Sequence, residues 1–257
     1  MHTQPVALFI EAWRQMTERL PSPRYANDNG VASCFSNVPN LFFNLWVQSQ
    51  PATSAEEFRA LLATAVQRAE TSTFPTGGII RVDWSPAGWE EIAKSAGLAP
   101  MVPMISMETD TLLEPRRPPS DLIIRRVVDD KGARDLASLN ARAYGMPLEL
   151  WDCVSGMHFW PSDCFAFVGY DGETPVSSAA ALPVNGTVYI ALVATAPEQQ
   201  GKGYAETVMR RAVAEGQRAT GVKRTTLHAS MMGRPLYEAM GYLPGPQLVF
   251  VGPVETR

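Results

Sequence analysis

The chain has 257 residues, 46% of them hydrophobic and 19% charged, with a formal net charge of −4. This is an ordinary globular balance, long enough for one large domain or two small ones. The mild acidity gives no basic footprint for nucleic acid, and no run approaches the roughly 18 apolar residues that cross a bilayer.

In chain order, Met1–Glu11 has neither the basic region nor the long apolar core of a secretory signal. Leu41–Val47 reads as a strand. Ala55–Ala69 reads as a helix, with Phe58, Leu61, Leu62, Ala65 and Ala69 near helical spacing. Ile79–Val82 reads as a strand and Trp89–Ala96 as a helix capped by Gly97, and Met101–Met107 returns as a strand. Leu113–Ser120 holds three prolines in a short polar stretch, which continues neither a helix nor a central strand. It reads as a linker between a lobe of residues 1–115 and a lobe of residues 120–257.

The second lobe alternates cleanly. Leu122–Val128 is a predicted strand, Asp130–Tyr144 a helix, and Leu148–Val154 a second, short helix. Phe165–Tyr170 and Pro175–Leu182 form a hairpin around Asp171-Gly172, and Asn185-Gly186 turns into a strand at Val188–Val193. Tyr204–Ala219 is an amphipathic helix, followed by a strand at Arg224–Ala229, a short helix near Arg234–Met240 capped by Gly241, and a strand at Gln247–Val251. Aligning Gly97 with Gly241 places Trp84–Leu98 opposite His228–Tyr242. That suggests an internal duplication, although any β-α-β-α-β run gives some match. The three cysteines, Cys34, Cys153 and Cys164, are scattered without metal-ligand spacing and suit a reducing compartment. The expected location is the cytoplasm, with no metal.

The densest chemical signal lies between Val193 and the helix at Tyr204, in Thr195-Ala-Pro-Glu-Gln-Gln-Gly-Lys-Gly-Tyr-Ala205. Glycines at a strand-to-helix junction let the backbone approach a ligand and aim free N–H groups outward. The helix N-terminus adds partial positive charge, so the place suits a pyrophosphate. The stretch lacks Gly-x-x-x-x-Gly-Lys-Ser/Thr, which argues against a P-loop nucleotide enzyme.

Residues 120–257 resemble the GNAT superfamily of acyl-CoA-dependent N-acyltransferases. Gln200, Gly203 and Ala205 match the family's pyrophosphate loop, Arg/Gln-x-x-Gly-x-Gly/Ala. Leu236-Tyr-Glu-Ala-Met-Gly-Tyr242 matches its Leu-Tyr-Glu-x-x-Gly-Phe/Tyr signature. The resemblance implies an α/β (α+β) GNAT fold, a mixed, mostly antiparallel twisted sheet flanked by helices, in tandem with a degenerate first copy. It implies that the Val188–Val193 and Arg224–Ala229 strands are parallel and splay apart, with the pantetheine arm of acetyl-CoA pairing in the gap. It also implies cofactor contacts from Leu192, Val193 and Thr195 on the strand, and from Gln200, Gly201, Lys202, Gly203, Tyr204 and Ala205 on the loop. Two positions depart from the family: Gln200 stands where many members have Arg, and Ser230 where many have an Asn that contacts the cofactor, so Ser230 is expected to make that cofactor contact in a shorter or altered form. The first-lobe position matching Tyr237 is Ala93, and its junction, Gln48–Ser54, has no glycine, as expected of a copy that holds no cofactor.

Acyl transfer to an amine needs a deprotonated amine, a donor for the developing oxyanion and a proton for the departing thiolate. Tyr237 is the candidate acid, since a phenol is not far above a thiol in pKa; the competing reading is a packing tyrosine. The resemblance puts the oxyanion donor at the backbone N–H of Val193 or its neighbour. His228, Asp152, His158 and Asp163 are base candidates, each of which also reads as structural or solvated. Tyr144, Trp151, Phe159 and Trp160 either line an acceptor site or belong to the core. The expected activity is N-acetyl transfer from acetyl-CoA to a primary amine of a small molecule or peptide, in a ternary complex. The alternative is a non-catalytic acyl-CoA-binding or sensing module. Partners are expected to include neither nucleic acid nor membrane, with a homodimer left open.

Overall fold

A computed structural model of the chain describes residues 4–118 and 120–254. Within them the chain forms two units. One comprises Met1–Ser106, Ala229–Met232 and Pro244–Arg257, the other Met107–His228 and Gly233–Leu243. Pro119, within the predicted linker, lies outside the described residues, and its neighbours form no regular element.

The first unit begins with helix α1 (Pro5–Thr17), then strands β1 (Arg24–Asp28), β2 (Val31–Phe35) and β3 (Asn44–Gln48). The predicted strand at Leu41–Val47 is shorter than expected. Asn40 Oδ1 accepts the Phe42 N–H at 3.0 Å and starts a 3₁₀ turn over Leu41–Phe43, so the extended run begins only at Asn44. Helix α2 (Ala55–Glu70), strand β4 (Gly77–Arg81), helix α3 (Trp89–Ser95) and most of strand β5 (Leu98–Thr109) follow. β3 runs antiparallel to β2 and parallel to β4, and β4 runs antiparallel to the late strand β11 (Leu243–Pro253). Alternation sends neighbours on one strand to opposite faces. Trp46, Ile80 and Val251 pack with Phe58, Leu62 and Ala93 of α2 and α3. Leu45, Val47, Ile79 and Phe250 pack with Val6, Phe9 and Ile10 of α1.

The second unit holds β6 (Ile123–Arg126), α4 (Asp130–Tyr144), β7 (Phe165–Asp171), β8 (Thr174–Val184), β9 (Thr187–Thr195), α5 (Tyr204–Thr220), most of β10 (Thr225–Ser230) and α6 (Arg234–Ala239). Its strands lie in the order β10-β9-β8-β7-β6, antiparallel except for the parallel β9–β10 pair. α4 starts where predicted because Asp129 accepts the Gly132 N–H at 2.7 Å, a cap worth about 1 kcal/mol. The Leu148–Val154 segment is 3₁₀ rather than α-helical. α4 and α5 cover opposite faces of the sheet: Asn140 of α4 meets Ser178 of β8, whereas Gly216 of α5 approaches Ala181 and Val188. A Cβ at Gly216 would come within 2.8 Å of the Val188 side chain, so glycine permits this close helix-on-strand contact.

Among the described residues no helix is long and apolar enough to cross a membrane.

Candidate active site

The site is built where β9 ends and α5 begins. β9 pairs with β10 at only two positions, Val188 with Thr225 and Tyr189 with Thr226, and the register goes no further among the described residues. Beyond Tyr189 and Thr226 the two strands no longer pair. β9 itself is irregular there: Ser178 pairs with Ala194 and Ala180 with Ala191, so Leu192 and Val193 together face Ala179 in a bulge. Leu192 takes φ 53°, and Leu192 and Val193 are half-buried on a strand whose preceding residues are buried. Thr195, also half-buried, has its hydroxyl 2.9 Å from Ser177 Oγ.

The loop from Pro197 to Lys202 is mostly exposed. Gly201 and Gly203 take φ 78° and 81°, and a Cβ on either would meet nothing within 4 Å among the described residues. These glycines turn the backbone as L side chains rarely allow and leave the space before it open. Gly203 is the N-cap of α5 and supplies no side-chain cap, so the first N–H groups of a 17-residue helix are presented outward. Lys202 Nζ lies 2.6 Å from Gln199 Oε1 and 5.8 Å from the Tyr204 ring centre. Gln200 is exposed, and Tyr204 and Ala205 are half-buried in the first turn of α5. Thus the predicted loop residues cluster at one helix end, with Leu192, Val193 and Thr195 on the strand that leads into it. Ser230, the last residue of β10, is half-buried and belongs to the first unit.

Two arginines that the sequence did not single out brace the loop. Arg117 donates to the Gly201 carbonyl at 3.2 Å, and Arg142 of α4 pairs with Glu198. Neither has a local signal, because each reaches the loop from a distant stretch of chain.

The corresponding junction in the first unit is closed. Ser54 accepts the Glu57 N–H at 3.1 Å, and the Glu57 carboxylate accepts the N–H groups of Ser54 and Thr53. α2 therefore satisfies its own N-terminus and adds Glu56 and Glu57 in its first turn, which repels an anion.

Tyr237 of α6 is buried, with its ring edge-on to Tyr242 at 6.1 Å. Burial, then the nearby Tyr144 and Tyr242 hydroxyls, holds its phenol well above the usual range, so it stays protonated. The Tyr189 hydroxyl lies 2.7 Å from His228 Nδ1, and burial pushes the His228 imidazole down to about 3. A neutral imidazole that weak in basicity is a poor acceptor for an ammonium proton at pH 7. Asp152, His158 and Asp163 are exposed, and His158 Nε2 lies 3.2 Å from the Cys153 carbonyl. Trp151, Phe159 and Trp160 are buried, with Trp160 Nε1 donating to the Val154 carbonyl at 2.8 Å, so these rings belong to the core. Tyr144 differs: its ring is 52% exposed and stacks on Trp151 at 5.7 Å.

A separate open groove of about 430 Å³ lies between α2 and α3, lined by residues including Arg59, Leu62, Val66, Glu70 and Ile92. No set of convergent catalytic groups lines it, so volume alone does not make it the site.

Known proteins share both the motif region and the fold. Residues 134–242 match the Acetyltransferase (GNAT) family. No curated protein matches the chain significantly in sequence. A GCN5-related N-acetyltransferase from Kribbella flavida superposes with a TM-score of 0.69 at 17% identity, covering 98% of this chain and 96% of that one. A functionally unknown conserved protein from Staphylococcus epidermidis superposes at 0.66 and 14% identity, covering 91% and 95%. A GCN5-related N-acetyltransferase-like protein from Streptococcus suis gives 0.56 at 11% identity, covering 93% and 92%. At these identities the structural likeness speaks to the fold alone, and it is the family match over residues 134–242 that points to acetyl transfer. Residues 134–242 therefore match a GNAT acetyltransferase domain, which supports an acyltransferase.

Proposed function

We propose that the protein transfers the acetyl group of acetyl-CoA directly to a primary amine of a small molecule or peptide. The observation that carries this reading is the junction of β9 with α5. Two parallel strands stop pairing after Tyr189 and Thr226, and the first of them leads into a glycine-capped helix N-terminus open to an anion. Bound there, acetyl-CoA supplies an activated thioester. The N–H groups from Gln200 to Ala205 take the pyrophosphate, helped by Lys202 and Arg117. The backbone of Leu192, Val193 and Thr195 takes the amide arm as an added strand would. The Val193 N–H, at the bulge, faces the carbonyl oxygen on which charge develops.

As the amine nitrogen bonds to the carbonyl carbon, the carbon–sulfur bond breaks and Tyr237 donates its proton to the leaving sulfur. Burial raises the phenol, but it raises a thiolate in the same surroundings too, so the transfer stays matched. The amine's own proton leaves to water, since His228 is too weak a base and Asp152 and Asp163 are on the surface.

We also infer that the first unit is a degenerate copy that holds no cofactor. Its β3–α2–β4–α3 run repeats the order β9–α5–β10–α6, each with a parallel strand pair. Its helix N-terminus, however, is taken up by its own capping box.

The test is incubation with acetyl-CoA and an amine library, following release of free thiol. Turnover on an amine supports the reading. Cofactor binding without turnover on any amine favours a sensing module instead.

A further inference from the structure

The bulge in β9 is held from outside the strand. Leu192 takes φ 53°, a left-handed conformation that strains a residue other than glycine and persists only where its surroundings fix it. Here those surroundings are a buried chain of hydrogen bonds. Ser178 Oγ donates to the Leu192 carbonyl at 3.2 Å and accepts from Asn140 Nδ2 at 3.3 Å. Asn140 Nδ2 also donates to the Leu136 carbonyl at 3.0 Å, one turn back on α4. Both side chains are fully buried, and Asn140 Oδ1 has no hydrogen-bond partner among the described residues. An apolar side chain at 140 would escape that desolvation cost, so the amide is a poor choice for stability alone.

The geometry then bears on the neighbouring N–H. In a trans peptide the Val193 N–H points opposite to the Leu192 carbonyl. A carbonyl held toward Ser178 aims that N–H away from β8. We propose that Ser178 and Asn140 are positioning residues, which fix the direction of the Val193 N–H through the Leu192 carbonyl. This rests on the acetyltransferase reading above, in which that N–H faces the acyl oxygen. A donor of this kind acts only when aimed at the place where charge develops, so loosening its carbonyl weakens catalysis without touching the substrate.

The experiment uses the full chain and acetyl-CoA labelled with ¹³C at the acetyl carbonyl. Difference infrared spectroscopy reads the carbonyl stretch of the bound acetyl group, and calorimetry reads the affinity for free coenzyme A. In the unaltered protein the bound band falls below its position in solution. Ser178→Ala loses most of that shift while the affinity stays within about twofold. Ser178→Cys, of similar size but a weaker donor, retains an intermediate shift. Asn140→Ala leaves the serine in place and gives a smaller change in the same direction, and it supplies the test should Ser178→Ala not fold. A bound band indifferent to both positions overturns this inference alone. Failure of the unaltered protein to bind acetyl-CoA overturns the acetyltransferase reading and this inference with it.

Discussion

The Tyr189 hydroxyl sits 2.7 Å from Nδ1 of His228, joining β9 to β10 just where their register ends. Burial holds the imidazole neutral down to about pH 3, against an ordinary value of 6.5. On acidification the unfolded chain therefore binds this proton first. The stabilisation from a neutral His228 is complete above about pH 6.5 and is lost progressively from there toward pH 3. The slope approaches about 1.4 kcal/mol per pH unit. Urea unfolding between about pH 7 and pH 4 should show this dependence, and His228→Asn should flatten it. Parallel profiles for the two proteins would remove His228 as the source.

Tyr237→Phe should lower turnover by about a hundredfold or more while leaving acetyl-CoA affinity within about twofold. The ring still fills its place against Tyr242, so only the proton is lost. Because burial lifts the phenol above its ordinary value of 10.0, the rate of the unaltered enzyme should not fall through that region from this group. Equal losses in turnover and affinity would instead mark a packing residue.

Gly203→Ala tests the loop through backbone conformation alone. The space beside Gly203 is open, so the added methyl meets no atom, but φ 81° costs an alanine about 1–2 kcal/mol. If the loop yields to relieve that strain, coenzyme A binding should weaken about tenfold with little change in melting temperature. Gly203→Glu should abolish binding, since it adds like charge beside the phosphates. A dissociation constant unchanged in both variants would place the cofactor elsewhere.

Arg117→Ala removes the hydrogen bond to the Gly201 carbonyl and a positive charge beside a loop that has Gln200 in place of arginine. One such bond is worth about 0.5–1.5 kcal/mol, so coenzyme A affinity should fall severalfold. Part of the loss is electrostatic, and the affinity should also become less sensitive to salt. Titrations at low and high ionic strength measure both effects, and an unchanged salt dependence would leave Arg117 only a structural role.

The chemistry of the loop was legible because it depends on residue types at fixed spacing. Gly203 at an N-cap and Leu236–Tyr242 around a short helix are written locally, and α4 and α5 carry clear helical periodicity. Other elements have no such signature. The exposed strand β1, Arg24–Asp28, shows no alternation, and β2, Val31–Phe35, is buried on both faces, so neither was anticipated. Helix α1 was passed over as well, although Val6, Phe9, Ile10 and Met16 bury one face. The bulge at Leu192 is illegible for a different reason. A leucine does not advertise a left-handed φ, and the Ser178 and Asn140 that hold it come from another strand and a helix. Composition alone leaves Trp151, Phe159 and Trp160 open between an acceptor site and the core, and their burial makes them core.

Strand β11 completes the unit that begins with α1, because Leu248–Val251 pair with β4. During synthesis, β4 emerges from the ribosome with that edge exposed and must wait for a partner that is made much later. Cutting the chain at the proline-rich stretch leaves the same edge bare, so a fragment ending there should aggregate or recruit a foreign strand instead of behaving as an independent module.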